Sequence, residues 1–191
     1  ERDLTGIYIA GRPVKSLQSE VYFLFITDGA EHLRLDLQTL GARLEYMPWN
    51  WLTLEAEGAV QVGTQQPEGY AEPLDHFATS WNVTLWGETN PGLPLALGVQ
   101  AQQHSGNNGQ SDDQVRTWRP LYPNLDEHLG LLQIVDQRNL RQYGGWFRIG
   151  DPKNGPSLTV DLRLNSSIAG SPVPAFSGPK LSGESDTWTP L

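Results

Sequence analysis

A period of two, held from Trp51 to Gly63, constrains this chain more than any other feature. Leu52, Leu54, Ala56, Val60 and Val62 share one face with Gly58 between them, while Thr53, Glu55, Glu57 and Gln61 share the other. A strand sends successive side chains to opposite faces, so it can hold such a pattern with one side apolar; a helix cannot. The run is also long. Globular strands are commonly about 5–6 residues, whereas about 9–11 tilted residues cross a bilayer.

The same alternation recurs along the chain. Leu40, Ala42, Leu44 and Tyr46 oppose Thr39, Gly41, Arg43 and Glu45 within 34–47. Phe77, Trp81, Val83 and Leu85 oppose Ser80, Asn82, Thr84 and Glu88 within 77–88. Further strands are expected at 93–104, 140–149 and 157–165, with two weaker ones near 4–10 and 20–27, or about eight strands in total by pattern. Between them, short turns at 47–50, 89–92 and 151–156 alternate with long polar connections at 64–76, 105–139 and 166–183. Strict rotation of short and long connections is the habit of an outer-membrane barrel, with short turns inside and long loops outside. Trp49, Trp51, Trp86, Tyr46 and Phe77 lie near strand ends, where interfacial aromatic girdles sit; Trp86 and Trp146 fall on the polar face, where a girdle does not account for them.

Composition narrows the function classes. The net charge of -9 argues against a nucleic-acid partner, which calls for a basic face. Cysteine is absent, which removes disulfides and thiolate metal sites. The four histidines lack ligand spacing, so neither metal nor cofactor is expected. The longest apolar run, Val21 to Ile26, is too short for a membrane helix, which needs roughly 20 residues. A membrane barrel escapes that test because its strands alternate. Glu1 is no initiator, so the chain reads as a mature form or a fragment. No domain boundary is expected before about 166; residues 1–165 form the barrel or a segment of one, and 166–191 a Pro-, Gly- and Ser-rich loop or tail.

Several blocks, in order, resemble the alginate-export family of outer-membrane proteins. They are Asp3-Leu4-Thr5-Gly6-Ile7-Tyr8, Thr39-Leu40-Gly41-Ala42-Arg43-Leu44, Leu54 through Gly63, Leu97-Gly98 running to Ser105-Gly106-Asn107, and the loop blocks Leu121-Tyr122-Pro123, His128-Leu129-Gly130 and Arg138-Asn139-Leu140. The resemblance covers roughly residues 1–165. It implies an antiparallel up-and-down transmembrane β-barrel in the bacterial outer membrane, about eighteen strands wide, that passes an anionic polysaccharide, alginate, without catalysis. Asn107 stands where the family has Asp, and about eight strands is fewer than the family's pore requires. The chain then reads as part of a larger barrel, with closure into a small, side-chain-filled barrel as the other reading.

With one face toward lipid, the other would line the lumen. That face carries Arg43, Arg148 and Arg163 among Glu45, Glu55, Glu57, Gln61 and Asp161. Arginine rings draw anions through pores, and the guanidinium fork suits sugar carboxylates. The same charges could instead pair across strands and stiffen the wall. Arg116, Arg119 and Arg138 lie in the long connection, to which the resemblance gives a constricting or gating role. Small solutes are a second cargo class. A different function class also stays open: a soluble β-sandwich hydrolase, lyase or sugar-binding module using Glu55 and Glu57, whose positions on one strand face are about 6.6 Å apart by strand rise, near the spacing of about 5–5.5 Å that retaining enzymes use.

Overall fold

The computed structural model describes residues 2–30, 33–66, 70–89, 94–107, 114–119, 139–150 and 157–168. Among the described residues there is no helix, and nine strands form one sheet. The strands are β1 (Arg2–Val14), β2 (Leu17–Ala30), β3 (Leu33–Trp49), β4 (Leu52–Gln65), β5 (Leu74–Thr89), β6 (Leu95–His104), β7 (Gln114–Val115), β8 (Leu140–Ile149) and β9 (Leu158–Ser167). Eight of them run as an antiparallel meander in the order β1-β2-β3-β4-β5-β6-β8-β9. The short β7 pairs in parallel with β5 at Asp75 and His76. β1 pairs with β2 and β9 with β8, and the two outer strands do not pair with each other, so the sheet is not closed.

All eight expected strands are present, several of them longer than the alternation indicated. The first two, weakest in pattern, extend over thirteen and fourteen residues. β2 lengthens because pairing with β3, whose alternation is strong, fixes its backbone whatever its own pattern, and β1 lengthens by pairing with β2 in turn. β9 runs two residues past 165, and the remainder of the expected tail from 169 lies outside the described residues. The rotation of connection lengths is looser than expected. One end carries 15–16, 50–51, 90–94 and 150–157, the other 31–32, 66–73 and 105–139, so both ends mix short and longer spans.

The register sorts side chains into two faces. One continuous row runs Gly11, Ser19, Leu44, Ala56, Val83, Ala101, Tyr143, Leu164; the next runs Val14, Leu17, Tyr46, Leu54, Leu85, Val99, Gly145, Leu162. These residues form the apolar face. It is bare: Leu164 is 76 % and Leu162 73 % exposed. Monomeric soluble proteins rarely expose a contiguous apolar surface of this breadth. The buried apolar residues that pack together lie on the opposite face, in two small clusters: Ile26, Leu35 and Leu37, and Ala59 with Ala78 and Trp118.

The apolar face also ends in a defined row. In β3 the apolar residues change parity, from Leu35 and Leu37 on the inner face to Leu40, Ala42, Leu44 and Tyr46 on the outer, while the ladder runs unshifted from Leu35 to Tyr46. Beyond that change the outer face bears the cross-strand row Asp3, Thr27, Asp36, Thr64, Asp75. The outer face thus passes from apolar residues to aspartates and threonines along an unbroken sheet.

Candidate functional site

The polar face holds all eight wall residues picked out by alternation. Arg43 and Glu45 stand on β3, Glu55, Glu57 and Gln61 on β4, Arg148 on β8, Asp161 and Arg163 on β9. Register places them on the side opposite Leu44, Leu54 and Leu162. A trough of ≈ 560 Å³ opens on this face, bordered by Arg43, Glu55, Glu57, Arg148, Asp161 and Arg163 and also by Trp86 and Trp146. It lies toward the end of the sheet that carries connections 50–51, 90–94 and 150–157.

Each of the three arginines has an acidic neighbour. Arg43 reaches diagonally across the β3–β4 ladder to Glu55, 3.3 Å away. Arg163 lies 2.6 Å from Asp161, two residues back on its own strand. Arg148 meets Glu88 at 3.4 Å although β6 separates their strands. The residue between them in register is Ala96, small enough for the two long side chains to meet above it. These pairs are part-exposed, and pairs of that kind contribute about 0–1 kcal/mol each to stability. Their larger effect is on the field: each arginine presents a guanidinium already partly neutralised. Glu57 accepts a hydrogen bond from Tyr22 Oη at 2.8 Å. The Tyr22 ring gets there by lying over Gly41, where a Cβ would collide with it. Glu55 and Glu57 are therefore engaged separately, one by a cation and one by a phenol.

Two features of the wall were not singled out from the sequence. The first is an amide ladder: Gln100 and Gln102 both donate to Gln142 Oε1, at 3.1 and 2.8 Å, and Gln142 Nε2 donates to Asn165 at 2.7 Å. Strand parity alone would have placed these residues on one face. The second is the aromatic pair. Trp86, Gly98 and Trp146 occupy one row, and the two indoles meet across the glycine with ring centroids 6.5 Å apart and planes tilted by 41°. A Cβ at Gly98 would run into the Trp146 ring, so the glycine permits the contact. The Arg148 guanidinium sits 5.8 Å from the Trp146 centroid, within cation–π range. Of the expected girdle aromatics, Trp49 and Trp51 stack at 5.5 Å beside the β3–β4 turn.

At the other end, the polar face is covered rather than open. Residues 105–107 and 114–119, expected within one long outward loop, fold back over the sheet. Ser105 is the hinge point: its N–H donates to Thr79 O, its Oγ accepts from Thr79 N–H, and its carbonyl accepts from the N–H groups of Trp118 and Asn139. Asn107 Oδ1 accepts from Arg116 N–H at 2.6 Å. Trp118 is buried against Ala59, Ala78 and Tyr22. Gln61 therefore departs from its expected place on an open wall. It is 0 % exposed, and its amide is consumed by the backbone of Arg119. The physical reason is that a returning backbone must satisfy its polar groups, and a wall amide supplies both a donor and an acceptor. Arg116 Nε donates to Gln114; Arg138 lies outside the described residues. Among the described residues no group of histidines and acids could hold a metal ion.

Comparisons with protein-family models, with curated proteins and with solved structures find no match.

Proposed function

We propose that this chain is a segment of an outer-membrane β-barrel that passively conducts an acidic polysaccharide of the alginate type, with smaller solutes able to follow. The observation that carries the reading is the division of one unclosed sheet into a bare apolar face and a charged face. From Leu52 to Val62, at about 3.4 Å per residue and a tilt of about 40°, the apolar stripe of β4 rises about 26 Å. That matches the lipid-facing band of such barrels, about 25 Å. The polar row Asp3, Thr27, Asp36, Thr64, Asp75 then stands above the hydrocarbon. Unpaired outer strands suit a wall that continues, since sheet edges cannot face lipid unsatisfied. The sandwich reading fits less well, because among the described residues no second sheet covers the apolar face.

In this reading the paired arginines Arg43, Arg148 and Arg163 offer a polyanion weak, exchangeable contacts. A uronate carboxylate can replace Glu55, Glu88 or Asp161 on a guanidinium, which has five donors to share. Weak sites in series let a polymer move, where a single strong site would stall it. The test is flux through liposomes holding the protein. Replacing the three arginines together with alanine should cut polyuronate flux several-fold and leave a neutral polysaccharide's flux nearly unchanged. Equal loss of both would assign the arginines to wall stiffness, and no polymer flux from the native protein would overturn the channel reading.

A further inference from the structure

We infer that Trp86 and Trp146 form a saccharide-binding subsite that grips pyranose rings by stacking, near the end of the sheet that carries connections 50–51, 90–94 and 150–157. The inference rests on the channel reading for its ligand class and goes beyond it in naming what holds the ligand and how.

The argument begins with placement. On a lipid-spanning sheet, tryptophan belongs on the outer face near the interfaces. These two stand on the inner face, part-exposed, and both border the trough. An indole with a part-exposed face among polar groups is an amphipathic platform. The axial C–H groups of a pyranose present an apolar patch of matching size, and its hydroxyls need polar partners around the rim. Asn82, Thr84 and Gln100 border the same trough. Gly98 keeps the two rings adjacent, with nothing rising between them. The tilt of 41° between the indoles makes a shallow notch rather than a flat wall, suited to two successive rings of a twisted chain.

Charge is the weaker grip here. Arg43, Arg148 and Arg163 each already have a carboxylate within 3.4 Å. Stacking on Trp86 needs no such exchange, and stacking on Trp146 requires only that the Arg148 guanidinium, 5.8 Å from that ring's centroid, swing aside; ring contact supplies the shared part of the binding, and a uronate gains a modest increment by displacing a wall acid.

The experiment is calorimetric titration of the whole chain, folded in detergent micelles, with a mannuronate hexasaccharide and with cellohexaose. Both probes are expected to bind. Trp86→Ala and Trp146→Ala should each weaken both by about tenfold, while Trp51→Ala leaves both unchanged. Raising salt from about 0.05 to about 0.5 M should weaken the acidic probe by less than about fivefold and leave the neutral one unchanged. Failure of both probes to bind the native protein, unchanged affinity in both tryptophan variants, or binding of the acidic probe alone would overturn the subsite. Should the alanine variants not fold, Trp86→Phe and Trp146→Phe keep a ring and should weaken both probes about threefold; unchanged affinity there would also overturn it. If the binding pattern holds while liposomes pass no polymer, the channel reading fails and the subsite stands; flux without any effect of the tryptophans is the converse.

Discussion

Gln61 and Arg119 are joined twice through one amide: Gln61 Nε2 donates to the Arg119 carbonyl at 2.7 Å, and Gln61 Oε1 accepts from the Arg119 N–H at 3.0 Å. The side chain imitates a strand neighbour, and past the two residues of β7 the returning segment is held to the sheet without continuing as a strand of it. Gln61→Ala leaves both backbone groups without their partner, at a cost of about 1–3 kcal/mol. Trypsin should then cut after Arg116, whose neighbour is Thr117, well before it cuts the native protein there; the Arg119–Pro120 bond resists trypsin in either case. Gln61→Glu keeps the acceptor and loses the donor, and its cleavage rate should fall between the two.

Gly98→Ala should disrupt the aromatic pair. The new Cβ meets the Trp146 indole, which must rotate or push the strand, and overpacking of this kind costs about 1–3 kcal/mol. Gly145→Ala is the matched control. It lies one position along on β8, and a Cβ there meets its nearest neighbour at 3.5 Å, an ordinary contact. Near-ultraviolet circular dichroism, which reports coupled indoles, should change in the first variant and not in the second.

The two faces should answer an introduced charge in opposite ways. Val83 is on the apolar face and Thr84, its neighbour, on the polar one. In lipid vesicles Val83→Arg should lower folding stability by about 2–4 kcal/mol, the cost of an arginine near the middle of a bilayer, whereas Thr84→Arg should change it by less than about 1 kcal/mol. Urea titration of tryptophan fluorescence measures both. Indifference at Val83 would place that face in water.

On the channel reading, Glu88→Gln should release Arg148 toward the trough it borders. The shape is kept and only the charge of the partner is lost, so stability should fall by no more than about 1 kcal/mol. The reversal potential under a salt gradient should shift toward anions. No shift would mean that Glu88 does not restrain the guanidinium.

Strand alternation carried most of the fold. Leu54, Ala56, Val60 and Val62 against Thr53, Glu55, Glu57 and Gln61 placed β4 and its two faces, because period two has a single backbone solution. The same parity set Arg43, Arg148 and Arg163 on the polar face. What parity could not give was the neighbour across a strand. Arg148 meets Glu88 only because β6 intervenes with Ala96, a relation set by register rather than by spacing along the chain. The returning segment was hidden for another reason. Gln114 and Val115 are too short a strand to leave a period, and Trp118 is apolar in a stretch with no alternation to judge it by. Gln61 read as a wall residue because an exposed glutamine and one that binds a backbone look alike in sequence.

The meander has a consequence for how the wall is laid down. Apart from the two-residue β7 on β5, every long strand is hydrogen-bonded only to the long strands next to it along the chain. Local pairing of this sort has low contact order, so each hairpin can form without waiting for distant parts of the molecule. One junction breaks the rhythm: β6 and β8 find each other across residues 105–139, and closing a longer loop has a greater entropic cost. Ser105, bonded at once to Thr79, Trp118 and Asn139, draws the two ends of that span together. The chain would thus assemble as two zippers, β1 to β6 and β8 to β9, with a single serine as the clasp between them.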